Sequence, residues 1–210
     1  MKQDRRLISV TGQGEAMVPP DLAVVSFAVT GMDEDLAPTR DDVNARSSGV
    51  LAQLRGLGIA DADLHAPDVN IQPEYDYRKG QRLVGYRVTR QMTAKVRDLD
   101  TLGPVLDGLI GAGANEVHGT QMTAADPSAA EHRALEAAVA AARAKAEVLA
   151  AAAGVELGAV ARIEEEGMGG NPLPKFRAMG GMADSADVAT EVAAGDLTVS
   201  RRIRAWFEIR

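Results

Sequence analysis

The sequence predicts an α+β fold: an antiparallel arrangement of about seven strands, in one sheet or more, with three helices packed on it. Three observations carry the prediction. Several runs alternate apolar and polar residues between turn-forming stretches, as half-buried antiparallel strands do. Three other stretches repeat apolar residues at spacings of three and four, the helical period. The chain closes on Gly195 to Ile209, where Leu197, Val199, Ile203, Ala205, Phe207 and Ile209 alternate again, so a terminal strand joins the main sheet. The fold is expected as one domain over residues 7–209, with one long Ala-rich helix.

Leu7 to Thr11 alternate and give the first strand. Gly12-Gln13-Gly14 follows with no helix after it, so a bulge or bend is expected rather than a phosphate loop. Pro19-Pro20-Asp21 reads as a turn. Leu22 to Gly31 then forms a second strand, with Val25, Phe27 and Val29 on one face, and the short connection predicts that the two strands pair. A helix is expected from about Pro38 to Leu57, with Val43, Ser47, Val50, Leu51, Leu54 and Leu57 as its apolar stripe. Asp61, Asp63, His65 and Asp68 form a small acidic cluster, read as a solvated turn in preference to a metal site.

Val69 to Tyr77 and Leu83 to Val96 read as a hairpin turned at Arg78-Lys79-Gly80-Gln81. Pro73 marks its strand as an edge or a bulge, because proline cannot donate to a ladder. Tyr75, Tyr77 and Tyr86 are expected to pack rather than to form a stacking platform. A helix from Leu99 to Gly111 is capped by Asp98 or Asp100, with Leu102, Val105, Leu106, Leu109 and Ile110 on its apolar side. Glu116 to Met122 is a strand that contains His118.

Asp126 to Gly154 is the clearest helix. Pro127 suits its first turn, Ser128 and Glu131 make a capping box, and Gly154 ends it. Leu135, Val139, Ala142, Ala146, Leu149 and Ala153 share a stripe, and Arg133, Glu136, Arg143 and Glu147 fall on the wet side. The stripe is too short and its residues too small for a coiled-coil seam. The helix is therefore expected to cover the sheet, with Leu135, Val139 and Leu149 facing inward. A strand from Val155 to Glu165 follows. Residues 166–194 are rich in Gly and Pro and lack periodicity, and irregular loops of that length are functional or disordered. Met168, Met179 and Met182 in this loop offer a soft-metal alternative.

Composition narrows the function. Of 210 residues, 46% are hydrophobic but only 3% are aromatic, so the core must be built from Ala, Val, Leu and Ile. A net charge of −7 argues against a nucleic-acid partner, which requires a basic surface to neutralise phosphates. Arg201, Arg202, Arg204 and Arg210 are the best candidate for such a surface. The absence of cysteine removes disulfides, thiol catalysis and Cys-based zinc sites together. No apolar run approaches the roughly 20 residues of a membrane helix. The start, MKQDRRLISVTGQG, has no apolar core of a signal peptide. The chain is thus expected to be cytoplasmic or to have lost a leader. His65, His118 and His132 lie in a loop, a strand and a first helical turn, outside any catalytic motif, and Glu164, Glu165 and Glu166 read as a solvated strand end. Walker, H-E-x-x-H and dinucleotide motifs are missing. No catalytic, cofactor-binding or metal-binding residue is predicted, and the chain is read as a non-enzyme.

The order of motifs nevertheless resembles the SIMPL-domain family of bacterial periplasmic immunogenic and stress-linked envelope proteins. The resemblance rests on Ile8-x-Val10-x-Gly12-Gln13-Gly14, Pro20-Asp21, Leu54-x-x-x-Gly58-Ile59 and Asp63. It rests above all on Ile71-Gln72-Pro73-Glu74-Tyr75-Asp76-Tyr77 with Gly85-Tyr86. Gly113-Ala114 and the pattern Ala134, Ala138, Ala141, Lys145-Ala146, Leu149-Ala150 and Gly154 complete it. It covers roughly 7–165 and the closing strand. It implies an α+β domain, a periplasmic or envelope setting and a homo-oligomer, and it brings no catalytic residues. The missing signal peptide and the 166–194 loop depart from the family pattern. The expected function is a non-enzymatic, self-assembling envelope protein, possible stress link included. The alternative is a small-molecule or metal-binding protein that uses the 166–194 loop.

Overall fold

The computed structural model describes residues 6–67, 69–78, 80–166, 173–174 and 195–210. Its strands are β1 (Leu7–Val18), β2 (Leu22–Asp33), β3 (Leu64–His65), β4 (Val69–Asp76), β5 (Arg82–Val96), β6 (Glu116–Thr123), β7 (Leu157–Glu166), β8 (Leu173–Pro174) and β9 (Leu197–Ile209). Its helices are α1 (Leu36–Gly56), α2 (Leu102–Gly111) and α3 (Ser128–Ala153). The β1–β9, β7–β9, β2–β5 and β4–β5 ladders are all antiparallel, so the α+β class holds. The chain divides into two compact units, each with its own sheet.

The division corrects the expected pairing of the first two strands. β1 pairs with β9, from Leu7 opposite Glu208 to Val18 opposite Leu197. β2 pairs with β5, from Ala23 opposite Val96 to Asp33 opposite Tyr86. Pro19 and Pro20 explain this. Each lacks an N–H and holds φ near −65°, so the pair carries the chain onward from one sheet to the other instead of closing a hairpin ladder.

The first unit has the strand order β1-β9-β7, with β8 also on β9, and α3 packed on it. Val10, Ala16, Leu197, Val199, Ile203, Ala205 and Phe207 are buried. The β1–β9 register runs through Gly12 and Gly14 without a shift, so the predicted bulge is absent. These glycines serve close approach instead. A Cβ on Gly12 would overlap the Ala138 carbonyl oxygen and sit 2.8 Å from the Ala142 methyl. A Cβ on Gly14 would overlap the Ala134 carbonyl oxygen and sit 2.7 Å from the Ala137 methyl.

The helix answers in kind. Its buried line is Ala130, Ala134, Ala138, Ala142, Ala146 and Ala150. Val139 and Leu149, expected to face inward, are exposed, and Leu135 is only half-buried. The periods match: two strand residues advance about 6.7 Å, and four helix residues advance about 6 Å. Every second residue of β1 therefore meets every fourth residue of α3. At that separation only a methyl fits, and the larger side chains are displaced to the flanks. Gly154 ends the helix at φ 68°, as expected. The capping box does not form: Asp126 accepts the Ser128 N–H at 3.0 Å, and Glu131 pairs with Arg201.

The second unit has the order β3-β5-β2-β6, with β4 further along β5. Its core joins Val25, Phe27 and Val29 of β2, Val88, Met92 and Ala94 of β5, Val43, Val50 and Leu54 of α1, and Leu102, Val105 and Leu109 of α2. Pro38 falls in the first turn of α1, where no helical N–H is lost. A 3-10 turn, Leu99–Thr101, precedes α2, and Asp98 caps it through the Asp100 N–H. Ile110 is exposed, contrary to expectation, because one residue beyond Leu109 is about 100° further around the helix. Both expectations for Pro73 hold: β4 pairs with β5 alone among the described strands, and its register shifts between Glu74 and Tyr75.

Candidate functional site

The β4–β5 hairpin outruns its sheet. β2 accompanies β5 only as far as Asp33 opposite Tyr86, whereas β4 continues beside β5 to Asp76 opposite Arg82. The cause is local. Asp33 accepts the Glu34 N–H at 2.6 Å, and the chain turns into α1. The tip beyond Tyr86 is left as a two-stranded ribbon. Arg87 pairs with Glu74 at 2.6 Å at its base, and the Arg78 N–H donates to the Asp76 carboxylate at 2.8 Å.

Ile71, Tyr75, Tyr77, Leu83 and Val84 are all exposed, at 36% to 72% of their surface. Tyr75 and Tyr77, expected to pack rather than to form a stacking platform, lie outside the buried core. Their rings meet each other, with centroids 6.3 Å apart and planes tilted by 47°. Tyr86, where β2 still pairs, is half-buried. For all of the exposed side chains but Ile71, which lies on edge strand β4 opposite Val88 where β2 still pairs, the reason is geometric: no third strand or helix among the described residues covers the tip. A two-stranded ribbon is marginal in water by itself, and a cluster of exposed large apolar side chains marks a surface for association.

The outer edge of β1 is handled differently. β1 pairs with β9 alone among the described strands. Lys145 donates to the Thr11 carbonyl at 2.8 Å, and Arg133 donates to the Met17 carbonyl at 3.0 Å, so cations of α3 cover outward backbone acceptors. Such charges blunt an edge against unwanted pairing. An open groove of about 620 Å³ lies beside this edge, lined by Ser9, Thr11, Lys145, Val148 and Leu149 among others. The predicted wet side of α3 is exposed, with Arg143 and Glu147 paired at 3.2 Å.

The acidic cluster does not converge. Asp61 pairs with Arg55 at 2.6 Å. Asp63, expected in a solvated turn, is buried and accepts both Nε and a terminal nitrogen of Arg97 at 2.8 Å each. Asp68 lies outside the described residues, and among those described no group of three or more His, Cys, Asp or Glu side chains is placed to hold a metal ion. The Arg97 hydrogen bonds hold the Asp63 carboxyl below the usual aspartate range, against an opposing burial effect. A depressed native value means that Asp63 adds stability above the unfolded aspartate value near 4 and loses it as pH falls further. Asp63→Asn is expected to cost about 1–2 kcal/mol at pH 7, the lower part of the range for charge-assisted bonds because Arg97 is solvent-exposed. Thermal melts of both proteins from pH 7 to pH 3 check this: the gap should close toward pH 3.

Two arginines of the basic C-terminal run are neutralised by acids, and a third bonds an amide. Arg201 pairs with Glu131 and, at 3.7 Å, with Glu165; Arg204 pairs with Glu166 at 2.7 Å; Arg202 donates to the Gln13 side chain at 3.3 Å. Glu164 pairs with Arg162, whose guanidinium lies 5.1 Å from the Trp206 ring centre. The three glutamates are thus ion-paired rather than a bare solvated end. His118 is exposed and lies 3.7 Å from Glu116. Met168, Met179 and Met182 lie outside the described residues, whereas Leu173 and Pro174 of the same stretch pair with Thr198 and Leu197. Among the described residues no helix is long and apolar enough to cross a membrane.

The SIMPL family, described as a protein of unknown function (DUF541), matches residues 8–207. The 26 kDa periplasmic immunogenic protein of Brucella melitensis is 33% identical, over 97% of this chain and 84% of that protein. The uncharacterized protein YggE of Escherichia coli K12 is 30% identical, over 88% of this chain and 74% of its own. The YggE protein of Edwardsiella ictaluri is 31% identical, over 81% and 72% respectively. The glycines of β1, the alanine line of α3 and the projecting ribbon are therefore features of a chain that belongs to the SIMPL family.

Proposed function

We propose that this chain is a non-enzymatic, self-assembling protein of the cell envelope, and that the β4–β5 ribbon joins one copy to the next. The observation that carries the reading is the ribbon itself: two strands beyond the sheet, with Tyr75, Tyr77, Leu83 and Val84 exposed. A second copy supplies the cover that the ribbon lacks within its own unit, at the scale of a weak to standard interface. The envelope setting draws support from the relative named a periplasmic immunogenic protein. The stress link implied by the family resemblance belongs to the same proposal. A non-enzyme reading is supported by the neutralised acids and arginines, which act as structural ion pairs.

The chain has no cysteine, so a single introduced thiol reports on one place. Tyr77→Cys, treated with a short bis-maleimide at micromolar protein, is expected to give covalent dimers in high yield. Glu147→Cys, on the wet side of α3, is expected to give few. Equal yields at the two positions would remove the ribbon from the interface.

A further inference from the structure

The face of the second unit's sheet turned away from its helices carries a polar row. His65 of β3 lies opposite Thr93 of β5, and Thr93 lies opposite Ser26 of β2. Direct antiparallel partners share a sheet face. Their neighbours Phe27 and Met92 point the other way, into the core. His118 of β6 completes the row, since it lines a cavity of about 200 Å³ together with Ser26, His65, Gln91 and Thr93. An adjoining cavity of about 300 Å³ shares Ser26 and His118 and adds Gly119, Thr120 and Gln121. Gly119 has φ 145° and no atom within 4 Å of where a Cβ would be, so the β6 backbone is bare beside the cavity. A bare strand backbone of that kind admits a close neighbour.

Three strand spacings of about 4.8 Å put the two histidines roughly 14 Å apart at Cα. That is wide for one metal ion, whose His bonds are about 2 Å long, and it agrees with the absence of a metal-type cluster among the described residues. It suits a small molecule that touches both rings. The row offers donors: two imidazoles, the Ser26 and Thr93 hydroxyls and the Gln91 amide. The charged groups on this face are Lys95 and Arg87 from β5, Glu74 from β4, which pairs with Arg87, Glu116 from β6 and, at the end of β5, Arg97, which is already paired with Asp63. β2 contributes no charge between Val24 and Thr30. Imidazole is the group that changes charge between pH 5 and 8.

We infer that this row binds a small dicarboxylate anion, held end to end by His65 and His118 above the Ser26 and Thr93 hydroxyls. Glu116 lies 3.7 Å from His118 at one end of the row. The test uses the three histidines of the chain as its own reporters. Succinate is titrated into the full chain near pH 6, and the imidazole C–H proton resonances are followed by NMR. The His65 and His118 signals should shift along one saturating curve, while His132, on α3 in the other unit, stays fixed. His118→Gln should weaken succinate binding at least tenfold. A linear drift of all three signals, or no shift at tens of millimolar succinate, would overturn the site. So would an affinity indifferent to His118→Gln in a variant whose His132 signal shows it folded.

Discussion

Gly12→Ala is expected to destabilise the unit that holds α3 by about 3 kcal/mol or more, the upper part of the range for overpacking. The added methyl would meet the Ala138 carbonyl oxygen and the Ala142 backbone nitrogen and methyl. Backbone cannot rotate out of the way as a side chain does, so the whole helix must lift, and the contacts of Ala134, Ala138 and Ala142 are weakened together. Gly14→Ala meets Ala134 and Ala138 in the same manner and should behave alike. Ala138→Leu approaches the same contact from the helix side and should cost as much. Gly103→Ala in α2 meets no atom within 4 Å, and its higher helix propensity should make it neutral or stabilising by up to about 1 kcal/mol. Urea midpoints of the four variants check the set. A Gly12→Ala protein within about 0.5 kcal/mol of the parent, the range of ordinary surface substitutions, would mean that β1 and α3 are not in backbone contact.

Leu83→Asp together with Val84→Asp is expected to dissociate the proposed assembly through the ribbon while leaving each copy folded. Both side chains are exposed in the ribbon and absent from the buried core, so the monomer loses little. Across an interface the same positions become desolvated, and an aspartate there brings an unpaired charge into an apolar contact. At about 2 kcal/mol for each disrupted contact, the association constant should fall by about a thousandfold. Sedimentation velocity over a hundredfold concentration range measures the fall, and circular dichroism confirms that the melting temperature is within a few degrees of the parent. Unchanged association with an intact fold would assign the interface to another surface, with the β1–α3 groove and its exposed Val148 and Leu149 next in order.

The parts of this fold that were legible in the sequence are those set by local periodicity. The stripe of Val43, Ser47, Val50 and Leu54 is the buried face of α1. The alternation in β9 matches the burial of Leu197, Val199, Ile203, Ala205 and Phe207. Partnering was less legible, because it depends on residues far apart in the chain. Nothing near Leu7 shows that its strand will lie beside Ile209 rather than Leu22. The face of α3 was misjudged because hydrophobicity favours Leu and Val over Ala, whereas the contact selects for size. The sequence did hold the signal: alanine at every fourth position from Ala130 to Ala150, facing a G-x-G in a strand. Asp63 shows the same limit, since its partner Arg97 comes 34 residues later. The ribbon's alternation looks alike whether or not a third strand covers it. The polar row of Ser26, His65, Thr93 and His118 is assembled from four separate segments and left no local mark.

The most direct test of assembly is the molar mass of the intact chain by light scattering at micromolar concentration, beside the Leu83→Asp, Val84→Asp protein. A defined multiple of 22.1 kDa for the parent and 22.1 kDa for the folded variant is the predicted result. A parent that scatters as a single 22.1 kDa chain at every concentration would contradict the account.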